Sequence, residues 1–401
     1  MKKRDVILWF LAVAGITLIA LILRIWAVRK LPTDLDERTY VRASSFYAQA
    51  IQQNDWSGLS RIDVNQEHPS FVKLFNGVFL SGQKLIFPIR VDDMEPQQFL
   101  PSGIIKDMLM TVRNVSMVFG VLAVAILAAF NPIAGLFLAV HSFAVKYTSE
   151  AYLEAIPSVT SLLAALAYLR WIRLVERQPK PLAVRNSLRI HVWLGLSGAA
   201  MGLTLASKYS FGIVGVAILV HFAWVSIQKK YPRKKAALFL AAYGMIAALV
   251  FFAGDIYLWQ DPVRKLISNI HYHLQFANRQ TVKTRYPAWQ IFYWLSKPIS
   301  QHSTDDIHHL GNDILLGLDL PISLLAIIGL PRLFKRNLLF FLWLIISLGF
   351  LFVWQNKWPQ YAMIVIPPLC LSASEGFHLI FLDPLVRLIT RVQFKTKVSV
   401  R

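Results

Sequence analysis

The sequence predicts an all-α polytopic membrane protein, a single transmembrane domain over residues 1–401 with about ten membrane-spanning helices. Three observations carry that prediction. Of the 401 residues, 56% are hydrophobic and only 16% are charged, whereas a soluble domain carries roughly 25% charged residues. Mean hydropathy is +0.49. Apolar stretches long enough to cross a bilayer recur along the whole chain, and cations gather in alternate connections between them.

In chain order the stretches are Val6–Trp26, Met108–Phe130, Ile133–Tyr147, Ala155–Trp171, His191–Ala206, Phe211–Ile227, Ala236–Ala253, Ile314–Leu330, Leu338–Trp354 and Tyr361–Ile380. The first is too long and uninterrupted for a cleaved signal peptide, and no small-residue cleavage site follows it. Cys370, the single cysteine, lies in the last stretch, which excludes an intrachain disulfide and a cysteine-cluster metal site.

The net charge of +20 has a side. With the Met1-Lys-Lys-Arg4 terminus in the cytoplasm and the spans alternating, the cytoplasmic segments hold 22 of the 42 Lys and Arg residues. Only Asp5, Glu176, Glu375 and Asp383 accompany them, so 18 of the 22 acids face outward. Short, cation-rich cytoplasmic connections are what the positive-inside rule expects. Both termini are therefore expected in the cytoplasm of a multi-pass cell-membrane protein, with the lipid bilayer as the partner that explains its basicity. Nucleic acid is not needed for it.

Two outward segments are long, 29–107 and 254–313, and a short basic cytoplasmic tail covers 381–401. In the first, Tyr40, Ala43, Phe46, Tyr47, Ala50 and Ile51 recur at helical spacing with Arg42, Gln49, Gln52 and Gln53 between them. That predicts an amphipathic helix along the membrane interface. A second helix is expected from Phe71 to about Leu85, with Pro69 at its start. In the second segment Tyr286, Trp289, Phe292, Tyr293 and Trp294 suit a headgroup-level belt or simple packing.

Four outward elements carry chemistry. Asp36-Glu37 follows the first span directly, and paired carboxylates beside hydrocarbon are costly unless they bind or react; a solvated loop has the same composition. Glu67-His68-Pro69-Ser70-Phe-Val-Lys73 sets His and Lys at a helix start, where free N–H groups attract phosphate; an ordinary cap with a solvated Lys has the same look. Glu150 and Glu154 stand one helical turn apart in a tight turn before a span, and Glu154 also suits the helix dipole. Lys208, followed by Tyr209, sits in a very short outward turn, where snorkelling is the bland alternative. His271, His273, His302, His308 and His309 carry no ligand geometry in their spacing, so no metal is expected from them. Gly198-Ala-Ala-Met-Gly202 is a small-residue pattern for close helix packing. No Gly-rich phosphate loop or nucleotide-binding fingerprint is present, and no cofactor is expected.

In this order the elements resemble the GT-C superfamily of membrane glycosyltransferases. The similarity is to the dolichyl-phosphate-mannose-protein mannosyltransferases (glycosyltransferase family 39) and the bacterial aminoarabinose transferases. The shared pattern has an acid pair then a Tyr (Asp36-Glu37-Arg-Thr-Tyr40) and a Glu-His-Pro-Pro-like element, here Glu67-His68-Pro69 with Ser70 for the second proline. An Arg heads the second span (Arg113), and an acid opens a later one (Glu154, where Asp is commoner). A Gly-rich helix then ends in Lys208-Tyr209, and Tyr257-Leu-Trp-Gln-Asp-Pro262 and Lys357-Trp-Pro-Gln-Tyr361 also fit bacterial members. The likeness runs over about residues 6–380.

The resemblance implies a GT-C-like arrangement and transfer of a sugar, with inversion, from a polyprenyl-phosphate donor on the extracytoplasmic face. The acceptor is a hydroxyl or amine on protein, lipid or polysaccharide. It implies Asp36 as base with Glu37 beside it and Glu154 orienting acceptor or base. His68, Lys73, Lys208, Tyr209, Arg113 and Lys357 fall on the donor-phosphate side, and Tyr40 and Glu67 on the acceptor side. The competing readings are a transporter or lipid flippase, which predicts ionisable groups deep within spans, and an inactive scaffold of the same fold. The charge-poor span centres disfavour transport.

Overall fold

The computed structural model describes residues 3–85, 103–176, 184–230, 232–297 and 317–385, and over these the chain is helical, with no β-strand. Most of the tail at 381–401 and the histidines at 302, 308 and 309 lie outside the described residues. Among the described residues, six helical segments are long and apolar enough to cross a membrane: Arg4–Lys30, Gly103–Phe130, Ala155–Glu176, Ile190–Ser207, Tyr209–Gln228 and Arg233–Gly254. This is an all-helical membrane protein.

The other apolar stretches take different forms. Ile133–Tyr147 is not one helix: it divides into α5 (Pro132–Val140) and α6 (Ser142–Tyr147), because His141 is extended (φ −65°, ψ 124°). The break lets the His141 ring lie 2.8 Å from Asp319 Oδ1, while the Ser142 N–H and hydroxyl donate to the same oxygen. Asp319 opens α14 (Asp319–Arg336), so the start of α6 is tied to that helix. The last stretch begins as a 3-10 turn (Pro359–Ile364), is α-helical only over α16 (Ile366–Phe377), and ends in a π turn. Pro367 and Pro368 stand in its first turn, where a missing N–H costs nothing. Between them α15 (Leu338–Val353) is a short apolar helix.

Packing builds the bundle in sequence order. α1 (Lys3–Lys30) lies on α4 (Gly103–Phe130) and α5; α4 lies on α7 (Ala155–Glu176), α7 on α8 (Val184–Ser207), and α8 on α10 (Arg233–Gly254). α9 (Ile213–Gln228) packs on α15, and α16 on both α14 and α5. The Gly198/Gly202 pattern marks the α8–α10 contact: a Cβ at Gly202 would meet the Ala247 carbonyl oxygen at 2.5 Å. Close helix packing is what that pattern predicts.

Two further helices complete the site's frame. α2 (Leu35–Gln52) is amphipathic, as its spacing predicts, and buries Tyr40, Ala43 and Tyr47. It packs tightly on α3 (Phe71–Leu80), where a Cβ on Gly77 would stand 2.7 Å from Tyr47 Cβ. α3 ends at Leu80, earlier than the periodicity suggests, since Ser81-Gly82 follows. From residues 254–297 come α11 (Pro262–Asn278), α12 (Gln280–Lys283) and α13 (Gln290–Ser296).

Candidate active site

The start of α2 is built by a capping box. Asp34 is the N-cap; its carboxylate accepts from the Asp36 N–H at 3.3 Å, and Glu37 accepts from the Asp34 N–H at 2.9 Å. Such reciprocal bonds satisfy helix-start donors that would otherwise be orphaned. Asp34 also takes the Tyr152 hydroxyl at 2.7 Å and Lys146 Nζ at 3.1 Å. Burial pushes its pKa up, but Lys146, Tyr152 and the Asp36 N–H outweigh that and hold it at about 2.

Glu37 and Asp36, neighbours in sequence, lead different lives. Glu37 is fully buried and bound to Arg113 through two bonds of 2.8 and 2.5 Å, with the Ala151 N–H donating at 2.6 Å. Arg113 spends its remaining donors on the Val28, Leu31 and Pro32 carbonyls. Every group of this pair is satisfied, so it ties α2 to the end of α1 and to α4. Asp36 instead faces a cavity of about 200 Å³. Gln360 Nε2 donates to its Oδ2 at 3.2 Å. Burial and then the Asp34 carboxylate push its pKa up to about 6, against the pull of Lys208. A carboxylate held there on a cavity wall suits proton transfer near neutral pH.

The loop before α3 forms a second wall. Lys73 is buried and turned back, donating to the Asn65 and His68 carbonyls at 2.5 and 2.8 Å. Burial brings its pKa down to about 8. With the backbone so held, Glu67 and His68 line the cavity beside Tyr40, and the His68 ring stands edge-on to Tyr40 at 5.9 Å. His273 of α11 comes in from the far side, its ring 5.5 Å from His68. The Ser70 N–H and hydroxyl donate to Asp255 Oδ1 at 2.9 and 2.7 Å, and Tyr209 donates to the other oxygen at 3.2 Å. A proline at position 70 would lack both Ser70 donors.

Lys208 lies at the centre, 2% exposed, ion-paired with the fully buried Glu154. Its ammonium stands 5.4 Å from the Tyr361 ring. The second Glu154 oxygen has no hydrogen-bond partner among the described residues. Glu150 is buried too, its Oε1 3.3 Å from Lys146 Nζ but outside hydrogen-bonding geometry. A strap, residues 356–361, closes the site with Asn356, Trp358, Gln360 and Tyr361. Lys357 points the other way and caps the end of α15 through the Leu351 carbonyl (3.0 Å), the Phe352 carbonyl (3.2 Å) and that of Trp354.

A second, largely apolar cavity of about 270 Å³ adjoins the first, walled by Ile270, Leu274, Phe350 and Trp354. His68, Lys208, His273 and Tyr361 line both cavities, so the basic groups stand where the polar space meets the apolar one.

Of the residues the sequence singles out, Asp36, Tyr40, Glu67, His68 and Lys208 are thus brought together, with Glu154 behind Lys208 and Tyr209 in the apolar cavity. Glu37, Arg113, Lys73 and Lys357 are not on the cavity wall; each is spent on backbone or ion-pair contacts that hold its frame. The sequence assigns no site role to Asp34, Gln360 or Asp255, and weighs His273 only as a metal ligand. Asp34 has a local signal, an N-cap acid three residues before a Glu. The others reach the site only through tertiary contact. Among the described residues no group of three or more His, Cys, Asp or Glu is placed to hold a metal ion.

No family model and no curated protein matches the sequence. Solved structures do. The chain is similar to ArnT from Cupriavidus metallidurans bound to undecaprenyl phosphate, with TM-score 0.57, 15% identity, and coverage of 94% of this chain and 60% of that one. It is also similar to the archaeal oligosaccharyltransferase AglB from Archaeoglobus fulgidus, in complex with an inhibitory peptide and a dolichol-phosphate. There the TM-score is 0.55 and the identity 13%, with coverage of 98% of this chain and 52% of that one. The chain therefore shares the fold of these two structures and spans between half and two thirds of their lengths.

Proposed function

We propose that the chain is a membrane glycosyltransferase that moves a sugar from a polyprenyl-phosphate donor to an acceptor hydroxyl or amine, with inversion, on the extracytoplasmic face of the cell membrane. One observation carries this reading: a polar cavity holding the Asp36 carboxylate opens, at His68, Lys208 and His273, onto an apolar cavity. An amphiphilic donor fits that layout, with prenyl chain in the apolar space, phosphate at the junction and sugar beside Asp36. The lipid phosphates in the ArnT and AglB structures support the same donor class.

In this reading all ten apolar stretches cross or enter the bilayer, both termini are cytoplasmic, and α2 and α3 form the membrane-facing floor of the site. Asp36 takes the proton of the acceptor, protein, lipid or polysaccharide, as it attacks the anomeric carbon. Lys208 meets the charge that builds on the departing phosphate, a fixed electrostatic contribution made where water is scarce. Glu154 holds Lys208 in place. Tyr40 and Glu67 flank the acceptor, and Tyr209 walls the prenyl space. Glu37 with Arg113, Lys73 and Lys357 act one step removed, by fixing the helix start, the 65–68 loop and the strap.

The test is complementation in a strain lacking the chain, read by mass spectrometry of its glycoconjugates. The wild-type chain restores a glycan that Asp36→Asn, inserted at equal level, does not. Full restoration by Asp36→Asn removes that residue from the base role. Transfer that proceeds from a nucleotide sugar without a lipid intermediate overturns the mechanism.

A further inference from the structure

We infer that His68 and His273 together form a binding site for the dianion of a phosphate monoester, and that they bind it by taking up one proton. The inference rests on the lipid-phosphate reading above and names the ionisation state that the site prefers.

The argument begins with charge. Where the two cavities meet, the charge of Lys208 is already matched by Glu154. Burial, and then the nearby cations Lys208 and Lys73, keep His68 well below the usual histidine range. Burial also lowers His273, against the pull of Glu67. Both rings are thus neutral near pH 7, and the junction holds no cation beyond the paired Lys208. A lipid phosphodiester brings one negative charge. After transfer, the bond from anomeric carbon to phosphate oxygen has broken with its electron pair left on that oxygen. The acceptor's proton has gone to Asp36, and the lipid phosphate has become a monoester, dianionic above a pKa of about 6. A second negative charge in a partly dry pocket demands a counter-charge.

The histidine pair is placed to supply it. Both rings line both cavities, 5.5 Å apart. The His273 Nε2 lies 2.7 Å from the Glu67 carbonyl, which only accepts, so Nε2 carries the proton and Nδ1 is bare. Protonating that Nδ1 turns an acceptor into a charged donor without disturbing the bond that orients the ring. The groups facing the pair are Lys208, Glu67 and Tyr40, with Tyr272 beside and Tyr209 beyond His273, Asp36 across the cavity, and Lys73 and Glu154 behind the wall. None of these supplies a second positive charge in their place, because Lys208 shares its single charge with Glu154 and Lys73 is bound to carbonyls.

The experiment is calorimetric titration of the purified full chain at pH 7.5, in two buffers of different ionisation heat, with farnesyl phosphate and with its methyl diester. The expected result is uptake of about one proton with the monoester and none with the diester. His68→Gln/His273→Gln, which keeps hydrogen-bonding groups but cannot titrate, is expected to bind the monoester about tenfold more weakly, without uptake, and the diester unchanged. Monoester binding by the wild-type chain without proton uptake overturns the inference and leaves the donor reading standing. Failure of either compound to bind overturns the donor reading itself, and the inference with it.

Discussion

Gln360 donates a hydrogen bond to Asp36 across 324 positions of sequence, at 3.2 Å, and so links the strap after α15 to the carboxylate in the first turn of α2. The bond favours the ionised carboxylate, opposing the burial and the Asp34 charge that push its pKa up to about 6. As base, Asp36 must be ionised, so activity falls as pH drops through about 6. Gln360→Leu removes the donor and raises the pKa further. The acid limb of the pH–rate profile is expected to move upward by about one pH unit. An unmoved limb in an active variant removes Gln360 from any role in tuning Asp36.

The Glu37–Arg113 pair is a matter of stability. Glu37→Gln leaves Arg113 charged, buried and half unpaired, which costs roughly 3–5 kcal/mol. Thermal unfolding in detergent is expected to show a clear drop in melting temperature, while the activity of molecules that remain folded persists. A variant as stable as wild type but inactive would assign Glu37 to the chemistry instead.

Glu154 competes with any anion for Lys208. Glu154→Gln frees that cation, so lipid monophosphate is expected to bind about tenfold more tightly and to inhibit turnover more strongly. Lys208→Met is expected to do the reverse. Displacement of a fluorescent prenyl phosphate reads both, and equal affinities across the three proteins would exclude Lys208 from the phosphate site.

Ser70 gives both its donors to Asp255. Ser70→Ala keeps the N–H and is expected to cost about 1 kcal/mol, whereas Ser70→Pro loses both donors and leaves buried Asp255 short of partners, at about 2–3 kcal/mol. Melting temperatures should fall in that order. An equal effect of the two would show that the backbone N–H contributes nothing.

Membrane helicity was legible because hydrophobic length is a local property. Helix breaks were not. Ile133–Tyr147 reads as one apolar run, and only the contact of His141 with Asp319, far along the chain, reveals why it divides. The same limit governed the site. Asp36 and Glu37 are alike in type and neighbourhood, and what separates them is Arg113, which reaches one and not the other. Lys73, Lys208 and Lys357 look equally fit for phosphate, yet two of them spend their donors on carbonyls. His273 offered no pattern, since its partner His68 lies on a different outward segment.

The strap from 356 to 361 is pinned at one end by Lys357 on the last carbonyls of α15. Three residues on, Gln360 touches the carboxylate, and Tyr361 lies beneath the ammonium of Lys208. In the proposed reaction, one short piece of backbone therefore bears on both the attacking and the departing side. Any displacement of it withdraws support from both in the same motion. On that reading the strap, more than either charged group, is where activity would be switched off.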